Sequence, residues 1–218
     1  MLRRLKPDPA PVSAVDAFAD VDFGALAPPD RPYLVINMVA SADGRATLHG
    51  RTEELSSPAD KEVFFALRRS VDAVLVGTGT LRDERYGPLL RDADEQPLAI
   101  VCSRRGDFPE DIPLFTDPRS RILKHTGPSP AEALRRAREE HGALSVLCEG
   151  GPTLNGALFA EDLVDELFLS VSPQIANGPA PLTIVEAAGR REPVPLELVW
   201  VLEGDGMLFC RYAVARAG

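Results

Sequence analysis

Apolar residues along this chain fall into continuous runs and into stripes at helical spacing, and the two patterns alternate. Residues 33–40, 72–77 and 97–102 form near-continuous apolar runs, which are typical of strands buried on both faces of a parallel sheet. Asn37 interrupts the first run, so it needs a partner in the core or points into a site. Between the first two runs, an N-cap serine followed by proline predicts a helix with the apolar stripe Val63, Phe64, Leu67 and Val71.

The same alternation continues to the C-terminal end. After a short strand at residues 121–123, a capping box at Ser129 and Glu132 predicts a helix that ends at Gly142. The later predicted elements are strands at 144–147 and 164–171, a candidate strand at 183–185, a helix to residue 160, and a hairpin of 196–203 with 207–214. This order predicts an α/β fold whose mixed, mostly parallel central sheet is flanked by helices and has an antiparallel C-terminal hairpin.

The N-terminal segment does not share this pattern. Residues 1–31 are rich in Pro, Ala and Asp, and we predict an N-terminal arm over the surface, with a short helix near residues 15–18. Residues 32–218 are predicted to be a single domain, because they contain no internal repeat and no linker. A chain of 218 residues is long enough to bury one sizeable core.

Composition and charge narrow the classes of partner. The net charge of −9 disfavours non-specific binding to nucleic acid. No apolar run approaches the ~20 residues of a membrane span. The basic N-terminus lacks the apolar core of a signal peptide, so we expect a cytoplasmic protein without a membrane partner. Cys102, Cys148 and Cys210 lie in apolar runs and are interpreted as buried thiols, because they have neither a disulfide framework nor zinc-ligand spacing.

A Gly-Gly turn between a strand and a helix is the most informative stretch. Gly150 and Gly151 follow the run at 144–147, and Pro152 suits the first position of the next helix. The free N–H groups and the dipole of that helix favour an anion, so the stretch is a plausible cradle for a dinucleotide pyrophosphate. The alternative is a tight turn that needs glycine only for its geometry, and this motif alone leaves both interpretations open.

Other predicted strand ends also carry residues that suit a ligand. The first run ends in a Ser-Ala-Asp-Gly turn at 41–44, and residues 77–80 are Gly-Thr-Gly-Thr. The third glycine and the acidic residue of a Rossmann fingerprint are missing, so a standard Rossmann domain is disfavoured. Ser103, Arg104 and Arg105 end a further strand and suit the 2′-phosphate of NADP, unless they form a solvated turn. Because ligands bind outside the carboxyl ends of parallel strands, these ends predict a cleft.

Candidate substrate groups are carboxylates and arginines near the same strand ends. Asp43 and Glu149 could orient a nitrogenous ring, although either could serve only the turn or cap that contains it. Some of the nearby arginines could hold a substrate phosphate, namely Arg45, Arg68, Arg82, Arg85 and Arg91. Arg68 is on the predicted helix after Leu67 and could equally be a surface residue. The sequence contains no recognisable catalytic triad, Walker loop or metal-binding set, so no catalytic residue and no metal ligand are assigned.

The order of these motifs resembles the reductase domain of riboflavin biosynthesis, the C-terminal domain family of the bifunctional deaminase/reductases. The matching stretches lie between residues 32 and 214: Pro-Tyr at 32–33, Ser-Ala-Asp-Gly-Arg at 41–45, Ser-Pro at 57–58, Leu-Arg at 67–68, the strand and turn at 72–80, Glu-Gly-Gly-Pro-Thr-Leu at 149–154, and Leu-Val-Asp-Glu-Leu at 163–167. The resemblance implies a dihydrofolate-reductase-like fold, a homodimer, and a stand-alone pyrimidine reductase. Its implied reaction uses NADPH to reduce a ribosylamino-pyrimidine 5′-phosphate to the ribitylamino form, by hydride transfer to the former anomeric carbon.

The resemblance, taken with the strand-end motifs, also assigns site residues. The expected cofactor-binding residues are Ala40, Gly77, Thr78, Gly79, Thr80, Ser103, Arg104, Gly150, Gly151, Pro152, Thr153 and Leu154. The expected substrate-binding residues are Asn37, Asp43, Arg68, Arg91 and Glu149.

The chain departs from the family pattern at several places. Asn37 or a neighbour stands where these enzymes often carry a lysine, and residues 81–86 replace the usual Asp-Asp-Pro. The zinc-deaminase pattern is absent, so we expect no deaminase activity. Two alternatives remain open: reduction of a pterin or dihydrofolate-like ring by the same NADPH site, and a nucleotide-binding protein without turnover.

Overall fold

The computed structural model describes residues 2–177, 182–186 and 192–215, which form one ten-stranded sheet with flanking helices. The strands are β1 (Leu2–Lys6), β2 (Ala10–Val12), β3 (Tyr33–Ser41), β4 (Ala73–Gly77), β5 (Leu98–Ser103), β6 (Arg121–Thr126), β7 (Ser145–Cys148), β8 (Glu166–Ser172), β9 (Leu196–Gly204) and β10 (Met207–Val214). The α-helices are α1 (Pro58–Arg69), α2 (Thr78–Glu84), α3 (Pro113–Thr116), α4 (Pro130–His141) and α5 (Pro152–Ala160).

The strand order is β2-β1-β9-β10-β8-β3-β7-β4-β5-β6. The strands from β8 to β6 in this order are all parallel, and β10, β9, β1 and β2 continue the sheet in antiparallel pairs. The predicted mixed, mostly parallel sheet with flanking helices and an antiparallel C-terminal hairpin is therefore confirmed. The carboxyl ends of β3, β7, β4, β5 and β6 consequently lie along one edge of the sheet, which is where parallel sheets bind ligands.

Local sequence chemistry explains where the principal helices begin and end. The Ser57 hydroxyl accepts the amide of Asp60 at 3.1 Å and caps α1, as predicted. Gly142 ends α4 in the left-handed conformation with φ of 69°. The predicted capping box at the start of α4 is wrong, because the Ser129 hydroxyl donates to Glu161 at 2.7 Å and does not cap the helix. The candidate strand at 183–185 is not a strand either.

The N-terminal segment is part of the sheet over its described residues. β1 pairs with β9 and β2 pairs with β1, so the segment does not lie on the surface as an arm. Leu2, Phe18 and Phe23 are all buried in the core. Turns replace the helix expected near residues 15–18. The segment's apolar residues are too sparse to show a period, which explains why the pattern did not predict its strands.

Two apolar cores lie on the two faces of the sheet. One contains the N-terminal segment and the inner faces of α1 and α2, and the other contains α4 and α5. Cys148 and Cys210 are buried, Cys102 is partly buried, and all three are free thiols. Burial raises the pKa of Cys102 to about 12, so this thiol is protonated at neutral pH. No helix among the described residues is both long and apolar enough to span a bilayer.

Candidate active site

Two cavities open at the carboxyl ends of the parallel strands. The first, called here the α1 cavity, has a volume of about 460 Å³ and is lined by Asn37, Lys61, Phe64, Arg68, Thr80, Arg85, Tyr86, Arg91 and Glu149, among others. The second, called here the α5 cleft, has a volume of about 540 Å³ and is lined by Gly77, Thr78, Gly79, Thr80, Arg104, His125, Gly127, Gly151, Pro152, Thr153 and Leu154, among others. Thr80 of α2 lines both, so the two spaces adjoin at this residue.

Most of the residues predicted to bind the cofactor lie together in the α5 cleft. They come from the ends of β4, β5 and β7 and from the first turns of α2 and α5: Gly77, Thr78, Gly79, Thr80, Arg104, Gly151, Pro152, Thr153 and Leu154. α2 begins inside the stretch that was predicted as a turn, because Gly77 is its N-cap residue. Ala40, Ser103 and Gly150 do not line the cleft.

Ser103 organises the loop after β5. Its buried hydroxyl donates to the carboxylate of Asp107 and accepts the amides of Gly106 at 3.1 Å and Asp107 at 3.2 Å. The hydrogen bond from Ser103 is the main reason that the Asp107 pKa is lowered. Ser103 therefore shapes the loop that presents Arg104, while its own hydroxyl is already engaged.

The Gly-Gly turn joins the ends of β4 and β7 to the start of α5. The amide of Gly77 donates to the carbonyl of Gly150 at 2.8 Å, and the Gly150–Gly151 peptide is cis. Gly150 has φ of 86°, a left-handed conformation that favours glycine, whereas Gly151 has φ of −80°. Pro152 is in the first turn of α5, as predicted. The first-turn amides of Thr153 and Leu154 have no carbonyl acceptor within the helix, which suits an anion.

The residues predicted to bind substrate divide between two places. Asn37, Arg68, Arg91 and Glu149 line the α1 cavity, but Asp43 does not. The Asp43 carboxylate accepts the Ser41 hydroxyl at 2.5 Å and the amides of Ala176 and Asn177 at 2.9 and 3.0 Å. These hydrogen bonds, led by that of Ser41, lower the pKa of Asp43 to about 2. Asp43 thus ties the loop after β3 to the loop after β8.

Arg68, Glu149 and Tyr86 form a buried charged cluster in the wall of the α1 cavity. Arg68 Nε and Nη2 donate to the two carboxylate oxygens of Glu149 at 2.6 and 2.7 Å, and Arg68 Nη1 donates to the carbonyl of Leu89 at 2.8 Å. The Tyr86 hydroxyl donates to Glu149 Oε2 at 2.9 Å. The Arg68 guanidinium also lies 4.2 Å from the centre of the Phe64 ring. Arg68 therefore holds Glu149 and is not available as a free phosphate ligand.

The pKa values of Arg68 and Tyr86 are both raised in this cluster. Burial alone would lower the Arg68 pKa, but the charge and hydrogen bonds of Glu149 outweigh it and the pKa is raised. Burial, followed by the negative charge of Glu149, raises the Tyr86 pKa well above its usual value. Arg68 therefore stays charged and Tyr86 stays a hydrogen-bond donor.

Sequence reasoning missed several residues of the two cavities. Lys61 lines the α1 cavity from α1, and its spacing of three and seven residues from Phe64 and Arg68 could have placed it on that face. Tyr86 follows α2 and was recognised only as part of an altered loop. His125 lines the α5 cleft, and no pattern in the sequence distinguishes it.

The sequence of this chain is similar to a described protein family and to several named proteins. The sequence model of a family described as "RibD C-terminal domain" matches residues 32–205. A Mycobacterium tuberculosis protein named "Riboflavin biosynthesis protein RibD" is 32% identical over 164 residues, which cover 72% of this chain and 46% of that protein. The chain thus spans about half the length of this curated relative. A Methanothermobacter thermautotrophicus protein named "2,5-diamino-6-ribosylamino-4(3H)-pyrimidinone 5′-phosphate reductase" is 24% identical, over 73% of this chain and 86% of that protein.

Solved structures share the fold. A pyrimidine reductase-like protein from Corynebacterium diphtheriae superposes with a TM-score of 0.76 at 20% identity, over 94% of this chain and 100% of that chain. Acinetobacter baumannii RibD gives a TM-score of 0.74 at 20% identity, over 86% of this chain and 59% of that chain. These likenesses confirm the expected dihydrofolate-reductase-like fold class.

Proposed function

Because the chain belongs to the RibD C-terminal domain family, we propose that it is an NADPH-dependent reductase of a ribosylamino-pyrimidine 5′-phosphate, which it converts to the ribitylamino form. The names of its relatives support this substrate class, since one is called a ribosylamino-pyrimidinone 5′-phosphate reductase. NADPH supplies the hydride when it is bound, and the chain's own residues must position the acceptor carbon beside it.

The observation that carries the proposal is that the α1 cavity and the α5 cleft adjoin at Thr80. A reductase needs separate sites for its donor and its acceptor, with contact between them at one point. From β3 to β6 the sheet crosses four strand spacings, or about 19 Å, which gives room for an extended dinucleotide and a substrate side by side.

The residues of the α5 cleft fit a dinucleotide. A Cβ built on Gly79 would meet no atom within 4 Å, so the missing side chain leaves open space along the cleft. A Cβ on Gly151 would come within 3.0 Å of the Thr80 hydroxyl. The first-turn amides of α5 would hold the pyrophosphate, and Arg104 would hold a phosphate farther along the cleft.

The α1 cavity fits a phosphorylated pyrimidine. The fixed Glu149 carboxylate can accept an N–H group of the ring, because Arg68 and Tyr86 hold it in one orientation. Arg85 and Arg91 line the same cavity and can bind the 5′-phosphate. Phe64 contributes an apolar face against which a ring can pack. No catalytic acid is assigned.

The test is substrate-dependent loss of NADPH absorbance. We expect oxidation with a ribosylamino-pyrimidine 5′-phosphate, and none with dihydrofolate or without substrate. Turnover of dihydrofolate alone would replace the proposed substrate with a pterin-like ring. NADPH binding without any turnover would identify a binding protein, and the absence of NADPH binding would contradict the whole proposal.

A further inference from the structure

The end of α2 has two features that the stability of the helix does not explain. Glu84, the last residue of α2, lies at the negative end of the helix dipole, where a carboxylate is disfavoured. Arg85 follows with φ of 45° and ψ of 59°, a left-handed conformation that a long side chain rarely adopts. Both residues line the α1 cavity. Because an unfavourable backbone conformation persists where a site needs it, the pair points to a role in this cavity.

Thr52 holds Glu84 from a different part of the chain. Its hydroxyl donates to Glu84 Oε1 at 2.6 Å, and a hydrogen bond to an ionised acceptor is among the stronger kinds. Thr52 belongs to the loop between β3 and α1, lies 32 positions before Glu84, and also lines the α1 cavity. The contact therefore ties two segments of the cavity lining together, directly beside Arg85.

The cations of the α1 cavity differ in whether the protein itself pairs them. Arg68 is paired with Glu149, and the Lys61 ammonium lies 3.5 Å from a carboxylate oxygen. The side chains of Arg85 and Arg91 have neither a hydrogen bond nor an ion pair with any described residue, and both line the cavity. Two unpaired guanidinium groups in one cavity suit a phosphate, which accepts their paired N–H donors. The placement of Arg85 therefore affects how well a phosphate is held.

We propose that Thr52 and Glu84 are positioning residues for the 5′-phosphate of the substrate, and that they act through Arg85. The hydrogen bond from Thr52 fixes the end of α2, so that Arg85 keeps the left-handed conformation in which it lines the cavity. An arginine that is held in place before the substrate arrives loses less conformational entropy when it binds the phosphate. This inference rests on the proposed function, because it assumes that a phosphorylated substrate occupies the α1 cavity.

The test measures KM and kcat for the ribosylamino-pyrimidine 5′-phosphate in the full chain at saturating NADPH. Arg85→Ala should raise KM about ten-fold or more, because it removes a charged ligand of the phosphate. Thr52→Val keeps the shape of the side chain without its hydroxyl, and should raise KM about five-fold while kcat changes by less than about two-fold. Thr52→Ser keeps the hydroxyl and should restore KM. The dephosphorylated nucleoside, measured as a competitive inhibitor, should bind every variant as it binds the wild type, since it offers Arg85 no phosphate.

A double-mutant cycle shows whether Thr52 acts through Arg85. Thr52→Val added to Arg85→Ala should raise KM by less than about a further two-fold, because the residue that it positions is already gone. Glu84→Ala breaks the same contact from its other side and repeats the test if Thr52→Val does not fold. Glu84→Gln keeps an acceptor oxygen and should retain a lower KM than Glu84→Ala. Ser13→Ala is the matched control and should keep the wild-type KM, since it removes a hydroxyl–carboxylate hydrogen bond of 2.6 Å at a residue that lines neither cavity.

The outcomes separate a positioning role from a structural one. An unchanged KM in both Thr52→Val and Glu84→Ala would overturn the inference. Fully additive effects of Thr52→Val and Arg85→Ala, or equal losses for the phosphorylated substrate and the nucleoside, would show that the contact only stabilises the cavity wall, and would overturn it as well. A wild-type protein that does not turn over the phosphorylated substrate would instead contradict the proposed function.

Discussion

Gly150 and Gly151 are adjacent in the chain, but the structure gives them different constraints. Gly150 has φ of 86°, and a Cβ there would lie 3.2 Å from the sulfur of Met38. Gly151 has an ordinary φ of −80°, and its Cβ would meet only the Thr80 hydroxyl, at 3.0 Å. The backbone conformation of the turn therefore favours glycine at residue 150. It does not require glycine at residue 151, where close approach of a ligand remains a reason for glycine.

Replacing Gly151 with alanine should weaken NADPH binding by about ten-fold or more while the fold persists. The added methyl group displaces the Thr80 side chain and occupies the start of α5, where the pyrophosphate is expected. NADPH titration and thermal unfolding on the same variant provide the measurement. A Gly151→Ala variant that is destabilised but binds NADPH normally would remove this turn from the binding site.

Gly150→Ala is the matched control for that variant. Its left-handed conformation should lower the free energy of unfolding by about 1 kcal/mol or more. NADPH affinity of the folded fraction should change less than in Gly151→Ala, because Gly150 does not line the α5 cleft.

The buried Arg68–Glu149 pair supports a second prediction at this scale. Glu149→Gln leaves the Arg68 charge buried without its counter-charge, so the free energy of unfolding should fall by about 3–5 kcal/mol. Tyr86→Phe removes one hydrogen bond to the same carboxylate and should cost about 1.5–3 kcal/mol. Urea unfolding of both variants gives the comparison, and a larger loss for Tyr86→Phe would contradict this account of the cluster.

Single residues show the limit of prediction from sequence. The family resemblance predicted Arg68 and Glu149 on the substrate side, and both residues line the α1 cavity. Their mutual pairing could not be predicted, because they lie 81 residues apart in the chain and only the fold brings them into contact. Asp43 shows the opposite case. Its position at a strand end predicted a substrate-binding residue, but its carboxylate accepts hydrogen bonds from the amides of a loop distant in sequence.

At the scale of elements, the hydrophobic pattern did not predict β1. This strand nevertheless contributes a buried leucine to the core. Leu2 is 1% exposed, and it packs so closely on Gly204 that a Cβ there would lie 2.6 Å from Leu2 Cδ2. β3, β4, β5 and α1 were predictable because their apolar residues follow the period of a strand or a helix. Three of the five residues of β1 are basic and only Leu2 is buried, so its pairing with β9 and not its pattern reveals the strand.

Leu2→Ala should therefore lower the free energy of unfolding by about 2–5 kcal/mol, as expected for a truncated core leucine. Val15→Ala, in the same segment but at a side chain 69% exposed, should change it by less than about 0.5 kcal/mol. Chemical denaturation of the two variants measures both changes in the free energy of unfolding. Similar small effects of both would mean that the segment lies on the surface, as the sequence pattern predicted.

At the scale of the whole molecule, the sheet has one apolar face that the described residues leave partly uncovered. β1 covers the edge of β9, so the C-terminal hairpin does not end in an open edge. Leu208 pairs in register with Val171, and Cys210 pairs with Leu169 and Val201, which places these side chains on one face of the hairpin and β8. Leu208 is 39% exposed. We therefore predict that the homodimer implied by the family resemblance forms through this face.

The homodimer remains a prediction, and light scattering at micromolar concentration tests it. The wild-type protein should have the mass of two chains, because a second copy would remove the partly exposed apolar face from water. Leu208→Glu should yield monomers, since a two-fold interface would bury the introduced charge twice. Leu26→Glu, at a leucine 51% exposed and far from this face in sequence, should remain dimeric. A monomeric wild-type protein would refute the prediction, and a dimeric Leu208→Glu variant would move the interface to another surface.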